Sequence, residues 1–376
     1  MEEKNGKTSN AKIIVTVLKK LDLYIIKKFL GTFFFALMLF TMVSIIIDLT
    51  EKIDGFIQHG VTAEQVIFDY YINFIPYIDA LLTPLFVFIS VIFFTSKLAS
   101  NSEIIAIYSS GISIYRILLP YIISCSIIAA ILMYANHIIV PRANKNWQTF
   151  EYTHLSNRGV LRINRTHQLQ VEKGKFLYVE NYTQYDKVGY KFSYEVLENN
   201  KLIYKLKADR IAWDDSTQQW KLTNYVVRVF EEKNEILYEG INLDTFMGFT
   251  PKDLDFRISI KEEMQTPELL RHIEKLKLNG YQDLPYYLIE YHRRTADVFM
   301  TFVLTIIGFS IASRKVRGGI GLHIVAGFAI SSIYILLSRF TTTFSTNGDL
   351  PAFLGVWIPN FIFLTVAVLL LRKSQQ

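Results

Sequence analysis

The chain has one cysteine in 376 residues. A single thiol excludes a disulfide framework and a thiolate metal cluster, and Cys125 lies within an apolar run. No Gly-x4-Gly-Lys-Ser/Thr phosphate loop occurs; Arg317-Gly-Gly-Ile-Gly321 is a glycine turn without the lysine. The histidines, at 59, 137, 154, 167, 272, 292 and 323, include no His-Glu-x-x-His and no pair at metal-ligand spacing. No Gly-x-Ser-x-Gly elbow marks a nucleophile. Met1–Asn10 is charged and polar with no apolar core beside it, so no cleavable signal peptide is expected and the first apolar run is expected to act as an uncleaved signal. Internal repeats and low-complexity segments are also missing. Asn164-Arg-Thr166 and Asn181-Tyr-Thr183 match glycosylation acceptors and are read as loop polarity. These absences leave no catalytic residue, metal site or cofactor site expected in this chain.

What is present is apolar length. The composition is 51% hydrophobic, and the apolar residues are clustered in long uncharged runs at both ends of the chain. A bilayer core needs about 20 apolar residues per helix. That measure predicts six spans, at about Ile25–Ile47, Val66–Thr95, Ile117–Val140, Ala296–Ala312, Ile320–Leu337 and Ala352–Leu371. Pro76 and Pro84 should kink the second, and Pro141 should end the third. A net charge of +6 would suggest nucleic acid in a soluble protein; here the basic residues flank spans, and no nucleic-acid partner is expected. Lys19, Lys20, Lys27 and Lys28, then Lys97 and Arg116, then Arg314, Lys315 and Arg317, and finally Arg372 and Lys373 fall on one side. Both termini are therefore expected in the cytoplasm.

Between spans three and four the pattern changes to alternation of period two. Tyr190-Lys-Phe-Ser-Tyr-Glu-Val196 and Tyr204-Lys-Leu-Lys-Ala208 alternate apolar with polar residues; Phe176–Val179 and Trp220–Phe230 are rich in strand formers. Asn199-Asn200 and Asp214–Gln218 supply turns. An antiparallel sandwich or jelly roll of ~120 residues is expected on the outer side. Thr266–Lys277 reads as a capped helix with Pro267 at its first position, ended by Asn279-Gly280. The expected organisation is three spans with a surface helix over 1–140, a β domain over 141–265, and a connecting helix with three spans over 266–376. The fold class is thus an α-helical membrane protein of six spans with an inserted all-β jelly-roll domain.

The polar interruption Lys97–Arg116 should form its own helix between spans two and three. Asn101 or Ser102 can cap it, Glu103 suits its N-terminal dipole, and Gly111 can stop it. Ile104, Ile107 and Tyr108 then share one face. At the outer end, Lys52, Arg142, Lys145, Arg293, Arg294 and Arg339 would form a cationic ring suited to a phosphorylated amphiphile. The bland alternative for each is snorkelling or pairing with Glu51, Glu290 or Asp297. Asp79, between the two prolines of span two, is either a helix-helix hydrogen bond at a kink or a functional carboxylate.

The order of parts resembles the LptF/LptG (YjgP/YjgQ) permeases of bacterial lipopolysaccharide export, from Leu21 to Lys373. The resemblance rests on Leu21-Asp-Leu-Tyr-Ile-Ile-Lys-Lys-Phe29, the Pro76-x7-Pro84 pair, Leu98-Ala-Ser-Asn-Ser-Glu-Ile-Ile-Ala-Ile-Tyr-Ser-Ser-Gly-Ile112, and Glu290-Tyr-His-Arg-Arg294. It implies an inner-membrane permease that pairs with a second LptF/LptG-type permease and with a cytoplasmic LptB-like ATPase dimer, which binds the ATP and Mg2+. It further implies lateral uptake of lipopolysaccharide through gates at spans one and five, and its transfer by the periplasmic β domain to an LptC/LptA-like bridge. By the same resemblance, Ser102, Glu103, Ile107 and Gly111 belong to the coupling helix that docks into the ATPase. The family's span-one lysines that contact lipid phosphates have one counterpart here, Lys52, which leaves Arg293, Arg294 and Arg339 as the other candidates for substrate contact. The reading from another class is a membrane-anchored scaffold or signalling protein whose β domain binds a partner without transport. A third, an intramembrane hydrolase, has Asp79 and the scattered histidines in its favour.

Overall fold

In the computed structural model, residues 19–155, 166–183, 186–199, 201–231, 234–251, 254, 260–278, 284–314 and 319–374 are described. Met1–Asn10, Asn164, Arg165, Asn200, Asn279-Gly280, Lys315, Arg317 and Gly318 of the sequence analysis lie outside them.

Among the described residues, six helices are long and apolar enough to cross a bilayer: α1 (Lys20–Gln58), α2 (Ala63–Ser100), α4 (Ile114–Leu155), α7 (Leu284–Ala312), α8 (Gly319–Thr346) and α9 (Ala352–Lys373). The short α3 (Glu103–Ser109) separates α2 from α4. At 1.5 Å per residue, the 39 residues of α1 reach about 58 Å, well beyond a hydrocarbon core of about 30 Å. Asp22 closes its N-terminus by accepting the Lys19 backbone N–H at 2.8 Å.

Pro76 and Pro84 do not break the second span, and Pro141 does not end the third. The α-helical part of α2 runs unbroken from Ile72 to Ser100 through Pro76 and Pro84. Helix α4 does not end at Pro141, because a π-helical turn over Ala135–Ile139 directly precedes it. The wider turn relieves the clash between a proline ring and the preceding carbonyl, so the helix continues.

Among the described residues, the membrane helices form two larger apolar clusters. One joins Ile25, Phe29 and Phe33 of α1 to Val91, Leu98 and Ala99 of α2, Ile104 of α3, and Ile114, Ile117 and Tyr121 of α4. The other joins Phe88 and Ile92 of α2 to Val303, Leu304 and Ile307 of α7, Tyr334 of α8 and Phe363 of α9. Helices α8 and α9 approach closely at Gly355, where a Cβ would lie 1.8 Å from Ser345 Oγ and 2.9 Å from the Thr341 carbonyl oxygen. Gly355→Ala is therefore expected to destabilise the α8–α9 pair by about 1–3 kcal/mol. A lowered unfolding temperature in detergent, partly restored by adding Ser345→Gly, would bear this out, and an unchanged temperature would contradict it.

The alternating region forms β1 (Thr166–Glu172), β2 (Lys175–Thr183), β3 (Val188–Glu198), β4 (Lys201–Asp214), β5 (Gln219–Phe230) and β6 (Glu235–Thr245). Every expected strand stretch lies within one of them. All pairings are antiparallel and the sheet order follows the sequence, β1 through β6, without a crossover among the described residues. The described strands thus form one antiparallel sheet in which each strand pairs with the next in sequence. Its apolar face carries Leu177 and Val179, Phe192 and Tyr194, Leu206 and Ala208, and Trp220 and Leu222, each pair two residues apart as the pleat requires. Phe249 and Leu254, beyond β6, complete that core, and Trp220 Nε1 donates to the Phe249 carbonyl oxygen at 2.9 Å. The helices α5 (Ile260–Glu263) and α6 (Thr266–Leu278) follow. By internal contacts the chain divides into two compact units, Met1–Trp147 with Leu288–Gln376, and Gln148–Tyr287.

Candidate functional site

Helix α3 places its residues as the period of 3.6 requires. Ile104 is fully buried, and Ile107 and Tyr108 pack partly buried against the same core. Burial raises the Tyr108 hydroxyl pKa, with Ser313 and Arg314 beside it. Ile105, 44% exposed, points the other way with Ala106, Ser109 and Ser110, and Tyr115 just beyond is also exposed. Sequence reasoning singled out the inward face and missed this outward apolar one. The capping expectation is corrected in detail. Ser102 is the N-cap, but its backbone is left-handed (φ 63°) and its side chain accepts no helix N–H. The two residues Asn101 and Ser102 must reverse the chain from α2 into α3, and the tight turn leaves no room for the extended backbone of an ordinary cap. Asn101 Nδ2 donates instead to Glu103 Oε1 at 3.0 Å, which fixes the half-buried Glu103 carboxylate. Gly111, at φ +83°, ends the segment as expected, its N–H donating to the Tyr108 carbonyl oxygen.

A contact that no local pattern announces lies nearby. Arg116, in the first turn of α4, donates from Nη1 to Asp22 Oδ1 at 2.7 Å and from Nη2 to Asp22 Oδ2 at 2.5 Å. The two residues are 94 positions apart.

The other charged candidates divide into two groups. Lys52, its side chain 21% exposed, pairs with Asp48 at 3.1 Å, donates to the Tyr70 hydroxyl, and lies over the Tyr70 and Trp147 rings. Tyr71 also donates to Asp48. Glu290 gathers the second group, binding Arg293 at 2.7 Å and the buried Arg294 at 3.1 Å. The charges of Arg293 and Arg339 both act on Asp297. Arg339 is exposed and forms no ion pair with a described residue. Asp79 accepts from Thr41 Oγ1 of α1 at 2.5 Å, the helix-helix hydrogen bond anticipated for it. Among the described residues, no group of three or more His, Cys, Asp or Glu could hold a metal ion.

A six-helix, membrane-crossing chain with an antiparallel sheet inserted between its third and fourth spans, and a short surface helix between its second and third, has the architecture of a transport permease. Residues 23–373 match the lipopolysaccharide export system permease LptF/LptG family, and the chain belongs to that family. The lipopolysaccharide export system permease protein LptG of Haemophilus influenzae is 20% identical over 361 residues, covering 96% of this chain and 100% of that relative. The protein is accordingly a multi-pass protein of the inner membrane.

Proposed function

We propose that this chain is the transmembrane permease subunit of an ATP-driven exporter that takes lipopolysaccharide from the outer leaflet of the inner membrane. The observation that carries this reading is α3, whose buried Ile104 anchors it in the membrane core while Ile105 and Ser109 face outward for a partner. No phosphate loop occurs in the sequence, so the energy arrives through that face from a cytoplasmic ATPase dimer holding the nucleotide and Mg2+. Both termini are then cytoplasmic and the sheet is periplasmic, passing the lipid to a bridge of similar β domains. A second permease of the same family completes the pathway.

Of the substrate-contact candidates, Arg339 fits this role best, being exposed and without an ion pair among the described residues, whereas Glu290 engages Arg293 and Arg294. A guanidinium at headgroup depth binds phosphate in bidentate fashion. Photo-crosslinkers placed at Arg339 and Arg293 in cells are expected to label lipopolysaccharide, with the stronger adduct at 339. Labelling no greater than at the exposed Leu369 of α9 would reject a specific site.

A further inference from the structure

The Asp22–Arg116 pair is built as a joint rather than as surface decoration. Both Asp22 oxygens are occupied by the guanidinium, Oδ2 also accepts the Lys19 backbone N–H, and the Asp22 side chain is 4% exposed. On the other partner, the Arg116 backbone N–H donates to Ser113, the N-cap of α4. If Arg116, its side chain 32% exposed, rotates away, the buried Asp22 carboxylate loses its cationic partner.

The surroundings give the joint a mechanical meaning. Four residues, Ser110 to Ser113, link α3 to α4, and Arg116 lies in the first turn beyond that link. Ile104 of α3 shares one core with Ile25, Phe29 and Phe33 of α1 and with Ile114 and Ile117 of α4. Helix α1 is held at that base by Asp22, Ile25, Phe29 and Phe33, and further along by the Thr41–Asp79 hydrogen bond and by Asp48, Lys52 and Phe56 against Tyr70 of α2. Of its most apolar stretch, 6% is buried. Between these holds most of its apolar surface is uncovered, and the ion pair is the directional part of the hold at the base.

We infer that Asp22 and Arg116 are positioning residues through which displacement of α3 turns the first span. The inference rests on the proposed coupling of α3 to an ATPase and adds the route by which the push reaches α1. Packing alone would transmit compression, but a bidentate pair also transmits rotation and pull, because its two parallel hydrogen bonds fix the relative orientation of the two helices.

The test uses the assembled complex of this chain, its paired permease and the ATPase in proteoliposomes loaded with lipopolysaccharide. Asp22→Arg and Arg116→Asp are each expected to capture the ATPase within twofold of the unaltered protein and to lower lipid release at least tenfold. The double exchange is expected to bring release back to within threefold. A fluorophore on Ile47→Cys, in a Cys125→Ser background, reports the first span; its response to a non-hydrolysable ATP analogue should vanish in the single variants and return in the exchange. Where the single variants assemble poorly, the exchange decides: recovered assembly with a recovered fluorescence response sustains the joint. Wild-type release by the single variants, or an exchange no better than they are, overturns it. If the unaltered chain captures no ATPase, the coupling proposal itself fails, a result distinguishable from failure of the joint.

Discussion

Glu103→Lys is expected to abolish co-purification of the ATPase, and lipid export with it, while the spans stay folded. The local cost is small. Reversing a charge at the N-terminus of a helix costs about 0.3–1 kcal/mol, and the bond lost, from Asn101, is at the surface. At an interface the same reversal is far more costly: losing one charged partner and opposing the other amounts to about 2–5 kcal/mol, mostly in the dissociation rate. Ile105→Asp should act alike, since an apolar anchor in a partner's pocket contributes about 2 kcal/mol, roughly 30-fold in affinity. Ile105 is already exposed in the isolated chain, so its loss leaves no cavity. Capture of the ATPase on the tagged permease, with unfolding temperature measured alongside, reads both effects. Undiminished capture by both variants would remove α3 as the docking element.

Trp220→Ala should unfold the β unit with little effect on the spans. Trp220 is fully buried, packs against Phe249 and Trp213 with ring centroids 5.1 Å away in each case, and donates to the Phe249 carbonyl oxygen. Truncating a tryptophan in such a core costs about 3–5 kcal/mol. A domain of this size is stabilised by about 5–15 kcal/mol in total, so the loss is a large part of its margin. Trp220→Phe keeps most of the ring and leaves one buried carbonyl without its donor, a cost of about 1–3 kcal/mol. Hydrogen exchange on the full-length protein should show β4, β5 and the Phe249 segment losing protection strongly in the first variant and mildly in the second. Equal protection in both would mean that the ring contributes little to this core.

Several features can be read from neighbouring residues alone. The inward set of α3, Ile104 with Ile107 and Tyr108, follows from helical spacing, and the strands follow from period-two alternation at Tyr190–Val196 and Tyr204–Ala208. The hydrogen bond of Asp79 was foreseeable because a carboxylate at membrane depth must find a donor, although the donor's identity, Thr41, was not. Less was legible where the outcome depended on a turn of two residues. Ser102 looks like an ordinary cap, yet the reversal out of α2 forces it into left-handed backbone and denies its side chain that role.

The candidate cations show the same division. Their positions near span ends are a matter of composition, but their availability depends on partners from other elements. Asp48 lies four residues before Lys52 and could be noticed, whereas Tyr70 and Trp147, which close around the ammonium, come from α2 and α4. Glu290 was within reach of Arg293 and Arg294 by helical spacing, so their pairing was one of two open readings.

By itself the sequence determined six spans, an inserted sheet and a surface helix with one apolar face inward, because hydrophobic length and period are local properties that the bilayer and the pleat impose residue by residue. The tertiary structure alone decided which charges are spent on one another and which remain exposed. It closed Lys52 into an aromatic cage, left Arg339 outside, and joined Asp22 to Arg116 across 94 residues. A charge's partner is fixed by the packing of helices far apart in the chain, and no local pattern carries that distance.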